Sequence, residues 1–208
     1  INKDFSSYVD RLSKGLKTVD QSKVNELFNK ILSRLNKPYT IHLLGNGGSA
    51  ANASHICGDY IKSLILVNQK LNIQCWADST SYLTATANDT DYSEIYSSLL
   101  GNYIKEGDLI VYFSGSGNSL NLVKCAREAS EHDIEQAAIV GFQGGALKDI
   151  VDLNIHINCN DMEISEDIQL IIFHHIKQKL IEKFSDKTNQ KKSFSAKYDK
   201  RLKEGLIA

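Results

Sequence analysis

Two glycine- and serine-rich segments, each between an apolar run and a helix-like stretch, constrain this chain most strongly. The first reads Gly45-Asn46-Gly47-Gly48-Ser49 and follows the apolar run 41–44; the second spans 114–119, Ser-Gly-Ser-Gly-Asn-Ser, after the run 109–113. A strand that turns into a helix in this way leaves several backbone N–H groups pointing outward, and the helix dipole adds partial positive charge there. Such turns bind phosphate well, so two of them indicate a phosphorylated ligand.

Serine hydroxyls in both segments add hydrogen-bond donors that can rotate towards an oxyanion. These serines are Ser49, Ser114, Ser116 and Ser119. Neither segment is a Walker loop, because no lysine follows as in GxxxxGK[ST], and neither reads G-x-G-x-x-G. Glycine-rich connections also occur in α/β sheets for structural reasons alone, and the local pattern leaves that alternative open.

The alternation of apolar runs with helix-length connections predicts an α/β fold with a mostly parallel central sheet and helices on both faces. Ligands of such folds bind beyond the carboxyl ends of the strands, where both segments lie. Strands are expected at 40–44, 72–76, 108–113, 136–141 and 153–158. Helices are expected at 49–66, 80–87, 92–104, 119–131, 146–150 and 162–184, after one or two amphipathic helices that end near residue 35.

Composition excludes several function classes. The chain has 208 residues and a formal net charge of −1, so we expect no broad attraction to nucleic acid or to anionic membranes. No apolar run approaches the roughly 20 residues that cross a bilayer. Four cysteines without a C-x-x-C pair predict buried, reduced thiols and a cytoplasmic protein. We expect a single domain over 1–184 and a polar, basic tail over 185–208, either mobile or loosely helical, or partner-binding.

Several ionisable residues accompany the two segments. His55 and Asp59 are four residues apart and share a helix face, which suits a metal site, an acid/base pair or an ordinary surface contact. His174 and His175 point about 100° apart on the last helix, so they cannot both face one small site. A charged helix face is the simplest interpretation of these two residues and of Lys177.

Taken together, the motifs resemble the SIS (sugar isomerase) domain family, and within it the phosphoheptose isomerases. The first segment with His55 and the acid at 59 resembles the family's G-N-G-G-S-x5-H-x3-E. The stretch 84–94 resembles T-A-x-x-N-D-x-x-Y-x-E, and 113–119 resembles I-S-T-S-G-N-S. Ile168-Gln169 resembles the R-I-Q of the closing helix, and order and spacing agree to about residue 184.

The resemblance implies a three-layer SIS-type sandwich and a cytoplasmic homotetramer whose sites form between subunits. It also implies aldose–ketose isomerisation of a phosphorylated seven-carbon sugar. The reaction would convert sedoheptulose 7-phosphate to glycero-manno-heptose 7-phosphate through an enediol, in lipopolysaccharide, capsule or activated-heptose synthesis. Neither nucleic acid nor membrane is an expected partner.

Carried onto this sequence, the resemblance makes Asp59 the base and Lys177, or a nearby histidine, the second acid/base. The four serines named above, with the backbone of Gly47 and Gly48, would hold the phosphate. Residues expected to contact sugar hydroxyls or to order the site are Asn46, Asn88, Asp89, Glu166 and Gln169.

Two positions depart from the family pattern. The family has a glutamate where this chain has Asp59, and a zinc-ligating histidine where this chain has Lys177. The remaining metal ligands are His55, Asp59 and Gln169, and three ligands that include a neutral amide predict a weak zinc site. No other cofactor is expected.

The resemblance also leaves an alternative in a different class. A non-catalytic SIS protein, similar to the tetrameric protein that binds the DnaA replication initiator, keeps the glycine-serine loop and the closing glutamine but lacks the acid and the histidine. The carboxylate at 59 and the intact second segment favour the enzyme. An isomerase of a different phosphosugar is a third reading.

Overall fold

Residues 4–185 are described by a computed structural model of the chain. They form five strands: β1 (Thr40–Gly45), β2 (Asn72–Cys75), β3 (Leu109–Ser114), β4 (Glu135–Val140) and β5 (Leu153–His156). The seven α-helices of this part of the chain are α1 (Phe5–Leu16), α2 (Gln21–Leu32), α3 (Gly47–Leu66), α4 (Thr80–Asp89), α5 (Leu120–Glu131), α6 (Leu147–Ile150) and α7 (Met162–Ser185).

The five strands build one sheet in the order β2-β1-β3-β4-β5, and every neighbouring pair is parallel. β1 and β3 are neighbours, with Gly45 of β1 opposite Phe113 of β3. The two glycine-serine segments therefore leave the sheet side by side at its carboxyl edge. The central position of β1 and β3 follows from their buried, largely apolar residues, which suit the interior of a sheet covered on both faces.

Helices cover both faces of the sheet. Because successive strand residues point to opposite faces, Val111 and Phe113 pack in a core with α2, α3 and α7. Ile110 and Tyr112 pack on the other face with α5 and α6. The arrangement confirms the predicted α/β sandwich with a parallel sheet and flanking helices.

One predicted element is wrong. The segment 92–104 is not a helix but two short 3₁₀ turns, Tyr92–Glu94 and Ser97–Leu99, followed by a bridge between Leu100 and Ile104. Gly101, with φ +79°, takes a left-handed conformation that no helix continues through. The other helices and strands lie within a few residues of their predicted bounds. Beyond Ser185, the predicted tail lies outside the described residues.

Two further expectations concern membrane-spanning helices and the burial of the cysteines. Among residues 4–185, none of the helices combines the length and apolarity that crossing a bilayer requires. Cys57, Cys75 and Cys125 are buried thiols and Cys159 is partly buried, and all four are free. The predicted burial is therefore confirmed for three of the four thiols.

A buried histidine links β1 to its neighbours. His42 is 1% exposed; the indole N–H of Trp76 donates to its Nδ1 at 3.0 Å, and its Nε2 lies 3.1 Å from Asp108 Oδ2. An Nδ1 that accepts requires the proton on Nε2, so a neutral imidazole bridges Trp76 and Asp108. Burial lowers the pKa of His42, although the Asp108 carboxylate opposes that shift.

We expect this histidine to make the fold acid-sensitive. Since its pKa is lower in the folded state, the unfolded chain takes up a proton first, and stability should fall as pH drops below about 6.5. His42→Gln cannot titrate and should lose part of that dependence, while costing about 1–3 kcal/mol near neutrality because buried partners are left poorly paired. Urea unfolding at about pH 7.5 and about pH 5.5 measures both effects. His132→Gln, at an exposed position, is the control; an unchanged pH dependence in His42→Gln contradicts this account.

Candidate active site

The first loop carries β1 into α3 through Asn46, the N-cap residue of α3. The Asn46 side chain makes no capping hydrogen bond. It forms a reciprocal amide pair with Asn121 of α5 at 2.9 Å in each direction, and it accepts from the Tyr92 hydroxyl at 3.0 Å. Asn46 thus ties the two loops together instead of covering the N–H groups at the start of α3.

Glu166 of α7 lies against this helix start. Its carboxylate occupies the space that a side chain at Gly48 would need, and the Ser49 hydroxyl donates to its Oε1 at 3.3 Å. A carboxylate is stabilised at a helix N-terminus by the helix dipole. The first loop therefore already faces an anion that belongs to the protein itself.

The second loop leaves its hydroxyl protons available. The Oγ atoms of Ser114 and Ser116 accept from the backbone N–H groups of Gly117, at 3.0 Å, and of Asn118, at 3.2 Å. Because these oxygens accept bonds from the loop, their own protons can donate elsewhere. Ser116 is partly exposed, whereas Ser114 is 4% exposed and lies under the loop. Ser119 is the N-cap residue of α5, and its side chain makes no capping bond within the described chain.

Gly117 holds the second loop in shape. Its φ is +68°, and a Cβ at this position would overlap the backbone carbonyl of Gly144. The neighbouring Asn118 side chain accepts from the Ala146 N–H at 2.9 Å. The loop is thus fixed between the sheet and the segment 144–147, and only glycine suits position 117.

A second group of polar side chains lies between α3 and α7. Lys177 of α7 donates to Asp59 of α3, and both side chains are 20% exposed. His55 Nε2 lies 3.1 Å from His174 Nε2, which is 3.9 Å from Asp59 Oδ2. His55 and Asp59 therefore lie on the face of α3 that is turned towards α7.

The two histidines of α7 separate as their spacing predicts. His174 turns towards α3, whereas His175 is exposed beside α2. The pKa of His174 is lowered, chiefly by burial and then by the Lys177 cation, while Asp59 opposes the shift. His174 is therefore a neutral imidazole near neutral pH, able to accept a proton or to relay one.

Gln169, the third predicted metal ligand, lies in the interior between α7 and α3. It is fully buried, and its Oε1 accepts from Asn52 Nδ2 at 3.2 Å; Asn52 also donates to the Glu166 carbonyl at 2.9 Å. Its Nε2 has no hydrogen-bond partner among the described residues. The ligand atoms that do converge, all within 4.8 Å of one another, belong to His55, Asp59 and His174.

Asn88 and Asp89 do not join either group. They lie exposed in the last turn of α4, and the Asn88 amide donates to the Asp89 carboxylate at 2.9 Å. From this stretch, Tyr92 reaches the first loop instead, through its bond to Asn46.

Sequence reasoning missed two residues of the site, Asn52 and Asn121. Asn52 could have been predicted from the sequence. It follows Ser49 by three residues and precedes Asp59 by seven, and these spacings place all three side chains on one face of a helix. Asn121 had no local signal, since its partner Asn46 is distant in sequence.

Comparison with known proteins agrees with this architecture. A family model described as the SIS domain matches residues 4–141. A phosphoheptose isomerase of Mycobacterium bovis is 30% identical over 138 residues, 66% of this chain and 70% of that protein. A probable phosphoheptose isomerase of Thermoplasma acidophilum is 27% identical over 181 residues, 87% of this chain and 100% of that protein.

Among solved structures, phosphoheptose isomerase GmhA of Neisseria gonorrhoeae superposes with a TM-score of 0.76 at 22% identity. The match covers 86% of this chain and 96% of that one, and it shows a shared fold. The chain therefore belongs to the SIS domain family and is an enzyme of the isomerase class related to these proteins.

The second loop generates a stability prediction. Gly117→Ala forces a side chain into a left-handed backbone and against the Gly144 carbonyl, so it should destabilise the fold by about 1–3 kcal/mol or more. Ser116→Ala, one residue away, adds no atoms and should change stability little. Urea unfolding of both variants measures the difference. Equal stability of the two would show that the loop is not fixed as described.

Proposed function

We propose that the protein is a sugar-phosphate isomerase that interconverts sedoheptulose 7-phosphate and glycero-manno-heptose 7-phosphate. The observation that carries the proposal is a loop of free serine hydroxyls at the carboxyl edge, with an acid–base pair, Asp59 and Lys177, on the adjoining α3–α7 surface. Relatives that share most of the chain's length bear the name phosphoheptose isomerase.

The phosphate belongs, in this proposal, to the second loop. Ser114, Ser116 and Ser119 offer hydroxyl protons beside the start of α5, where the helix dipole favours an anion. Ser49 would join them only by exchanging its bond to Glu166 for one to the ligand. Glu166 and Asn46, at the mouth of the first loop, are then suited to sugar hydroxyls, with Asn88 and Asp89 as further contacts in the assembled protein.

The proposed chemistry follows from the pair formed by Asp59 and Lys177. Asp59 would remove a proton from C1 of the open-chain ketose while the C2 carbonyl oxygen takes up a proton, which gives the enediol. Asp59 would then return its proton to C2 while the C1 hydroxyl loses its own proton and becomes the aldehyde, so that one proton passes in net terms from the C1 oxygen to the C2 oxygen. The Lys177 ammonium, already on the same carboxylate, would stabilise negative charge on the substrate oxygens. His174, neutral and next to Asp59, is suited to relay the hydroxyl proton.

Self-association would complete the site. Tyr92, Leu120 and Met162 surround the two loops and are 56%, 69% and 39% exposed. Of the residues in α4, none is buried. Exposed apolar surface of this kind marks contact with another protein. We propose that copies of the chain cover it as a homotetramer, in the cytoplasm, serving lipopolysaccharide, capsule or activated-heptose synthesis, without nucleic-acid or membrane partners.

The residues present do not fit the zinc ion that the family implies. Lys177 places an ammonium on the Asp59 carboxylate, and the acceptor oxygen of Gln169 is bonded to Asn52. His55, Asp59 and His174 gather three ligand atoms, but a zinc ion there would stand beside the lysine cation. We therefore propose a reaction that uses no metal.

A second candidate function has its own support. The Lys177 ammonium is paired with the Asp59 carboxylate, the expected base, and a carboxylate next to a cation accepts a proton less readily. In that case the chain is a regulatory SIS protein that binds a partner such as a replication initiator.

Binding tests the phosphate assignment. Sedoheptulose 7-phosphate should bind and sedoheptulose should not, because charge-assisted hydrogen bonds contribute about 1.5–3 kcal/mol each. Titration calorimetry measures both, and Ser116→Ala should weaken only the phosphorylated ligand. Equal affinity for the two sugars overturns the assignment.

Asp59→Asn tests the base. The amide keeps the shape of the carboxylate but accepts no proton at neutral pH, so the variant should bind the phosphosugar and convert it at least about a hundredfold more slowly. NMR of the sugar signals follows the reaction. If Asp59→Asn keeps the wild-type rate, the base lies elsewhere.

Metal content tests the role of Lys177. The purified protein should carry far less than one zinc ion per subunit, and activity should survive chelation. Lys177→His supplies a fourth ligand and should raise zinc affinity, whereas the control Lys177→Gln removes the cation without adding an imidazole. Plasma mass spectrometry measures occupancy. Stoichiometric zinc in the unmodified protein contradicts the prediction and makes His174, beside His55 and Asp59, the ligand to test next.

A further inference from the structure

The residue that could cap α3 does not do so. Asn46 has φ −122° and ψ 152°, the extended conformation of an N-cap residue, yet its side chain makes no capping hydrogen bond within residues 4–185. Asparagine is among the best residues for this role, because its side-chain oxygen can accept from the second or third N–H of the helix. α1 and α2 are capped in that way by the carboxylates of Asp4 and Asp20. The Asn46 side chain is therefore held away from a bond that it could otherwise make.

Asn121 and Tyr92 hold the Asn46 side chain away from α3. Asn46 Oδ1 accepts from Asn121 Nδ2 at 2.9 Å and from the Tyr92 hydroxyl at 3.0 Å. A carbonyl oxygen has two lone pairs, so these two bonds fill its capacity as an acceptor. Asn46 Nδ2 donates in turn to Asn121 Oδ1 at 2.9 Å. The Asn46 side chain therefore has no acceptor left for the N–H groups at the start of α3.

The direction of this amide pair is fixed by the helix that carries Asn121. Asn121 is 1% exposed on α5, and its Oδ1 also accepts from the N–H of Leu122 at 3.0 Å. That backbone donor identifies which atom is the oxygen, and the reciprocal pair then assigns the Asn46 amide. Asn46 is only partly buried, and one of its two amide protons has no acceptor in the described part of the chain. That proton is available to a ligand oxygen.

Both helices that begin at the proposed site start without a side-chain cap. Ser119 leads into α5 as Asn46 leads into α3, and neither makes a capping bond to another described residue. Uncapped N–H groups at a helix start are donors for ligand oxygens. Asn121 lies in the first turn of α5, next to the second loop, and bonds from there to the residue that precedes α3. The amide pair therefore links the phosphate end of the proposed site to its sugar end.

The charge at the start of α3 favours a hydroxyl group over a phosphate. The Glu166 carboxylate lies over Gly48 and accepts from the Ser49 hydroxyl. A phosphate dianion placed there would be repelled by that carboxylate. A sugar hydroxyl can donate its proton to the carboxylate while its oxygen accepts from N–H groups. The first loop is therefore suited to the uncharged part of the substrate.

We propose that Tyr92 and Asn121 are positioning residues for sugar recognition. They keep Asn46 from capping α3, so that its free amide proton and the first N–H groups of α3 can bind substrate hydroxyls. This inference rests on the proposed function and deepens it. The second loop binds the phosphate by itself, whereas recognition of the sugar requires the network of Tyr92, Asn46 and Asn121. Without the network, Asn46 returns to the start of α3 as an ordinary cap.

Binding of two probes separates positioning from a general defect. Asn121→Ala breaks the amide pair, and Tyr92→Phe removes only a hydroxyl from a side chain that is 56% exposed. Affinity for sedoheptulose 7-phosphate, measured by calorimetry, should fall about tenfold in Asn121→Ala and about threefold in Tyr92→Phe. Affinity for inorganic phosphate, measured by NMR titration, should stay unchanged, because the second loop keeps its hydroxyls. Ser116→Ala is the matched control and should weaken both probes.

A double-mutant cycle tests whether Asn121 acts through Asn46. Asn46→Ala should weaken sugar-phosphate binding at least as much as Asn121→Ala, and the double variant should bind no worse than Asn46→Ala alone. Effects that multiply in the double variant overturn the proposal, and so does an equal loss of both probes. If Asn121→Ala does not fold, Tyr92→Phe takes its place in the same cycle with Asn46→Ala.

The outcomes also separate this inference from the isomerase. A wild-type protein that binds sedoheptulose 7-phosphate without converting it contradicts the isomerase, while the binding cycle still tests the network. Conversion by the wild type, with unchanged sugar-phosphate affinity in both Asn121→Ala and Tyr92→Phe, contradicts the network alone. A wild-type protein that binds neither probe contradicts both.

Discussion

The parallel packing of α3 against α7 is the interaction on which the site depends. Buried apolar residues of both helices meet over the sheet, and the Tyr60 hydroxyl donates to the Phe173 carbonyl at 2.8 Å. This contact sets the register in which Asp59 meets Lys177. The same packing brings Glu166 to the start of α3. A shift of one residue along either helix would turn these side chains by about 100° and separate the pairs.

The Asp59–Lys177 pair then decides what chemistry the site supports. In the proposed reaction, the Lys177 ammonium would supply positive charge in place of a metal ion, but it also holds the Asp59 carboxylate that would accept the proton. If substrate oxygens bind the Lys177 ammonium in place of Asp59, the Asp59 carboxylate becomes free to accept a proton from the substrate. In the proposed reaction, the hydroxyls of the second loop would bind the remote phosphate, and the binding energy gained there would drive the exchange.

The sequence predicted the sheet and both loops because their signals are local: apolar runs, helix-length spacers and glycine-serine turns. It failed at 92–104, where Gly101 and burial of Tyr96 against Gly45 override a helical pattern. It did not predict that His174 lies with His55 and Asp59. The direction of each side chain depends on how α3 and α7 pack, and the bond of Asn52 to Gln169 cannot be read from either helix alone.

The most direct test of the central claim is NMR of sedoheptulose 7-phosphate incubated with the protein in deuterium oxide. An enediol formed by Asp59 exchanges its proton with solvent, so the account predicts signals of the aldose heptose 7-phosphate with deuterium at C2. Unchanged substrate, under conditions where calorimetry shows phosphate-dependent binding, would contradict the isomerase and favour a protein that binds the sugar without converting it.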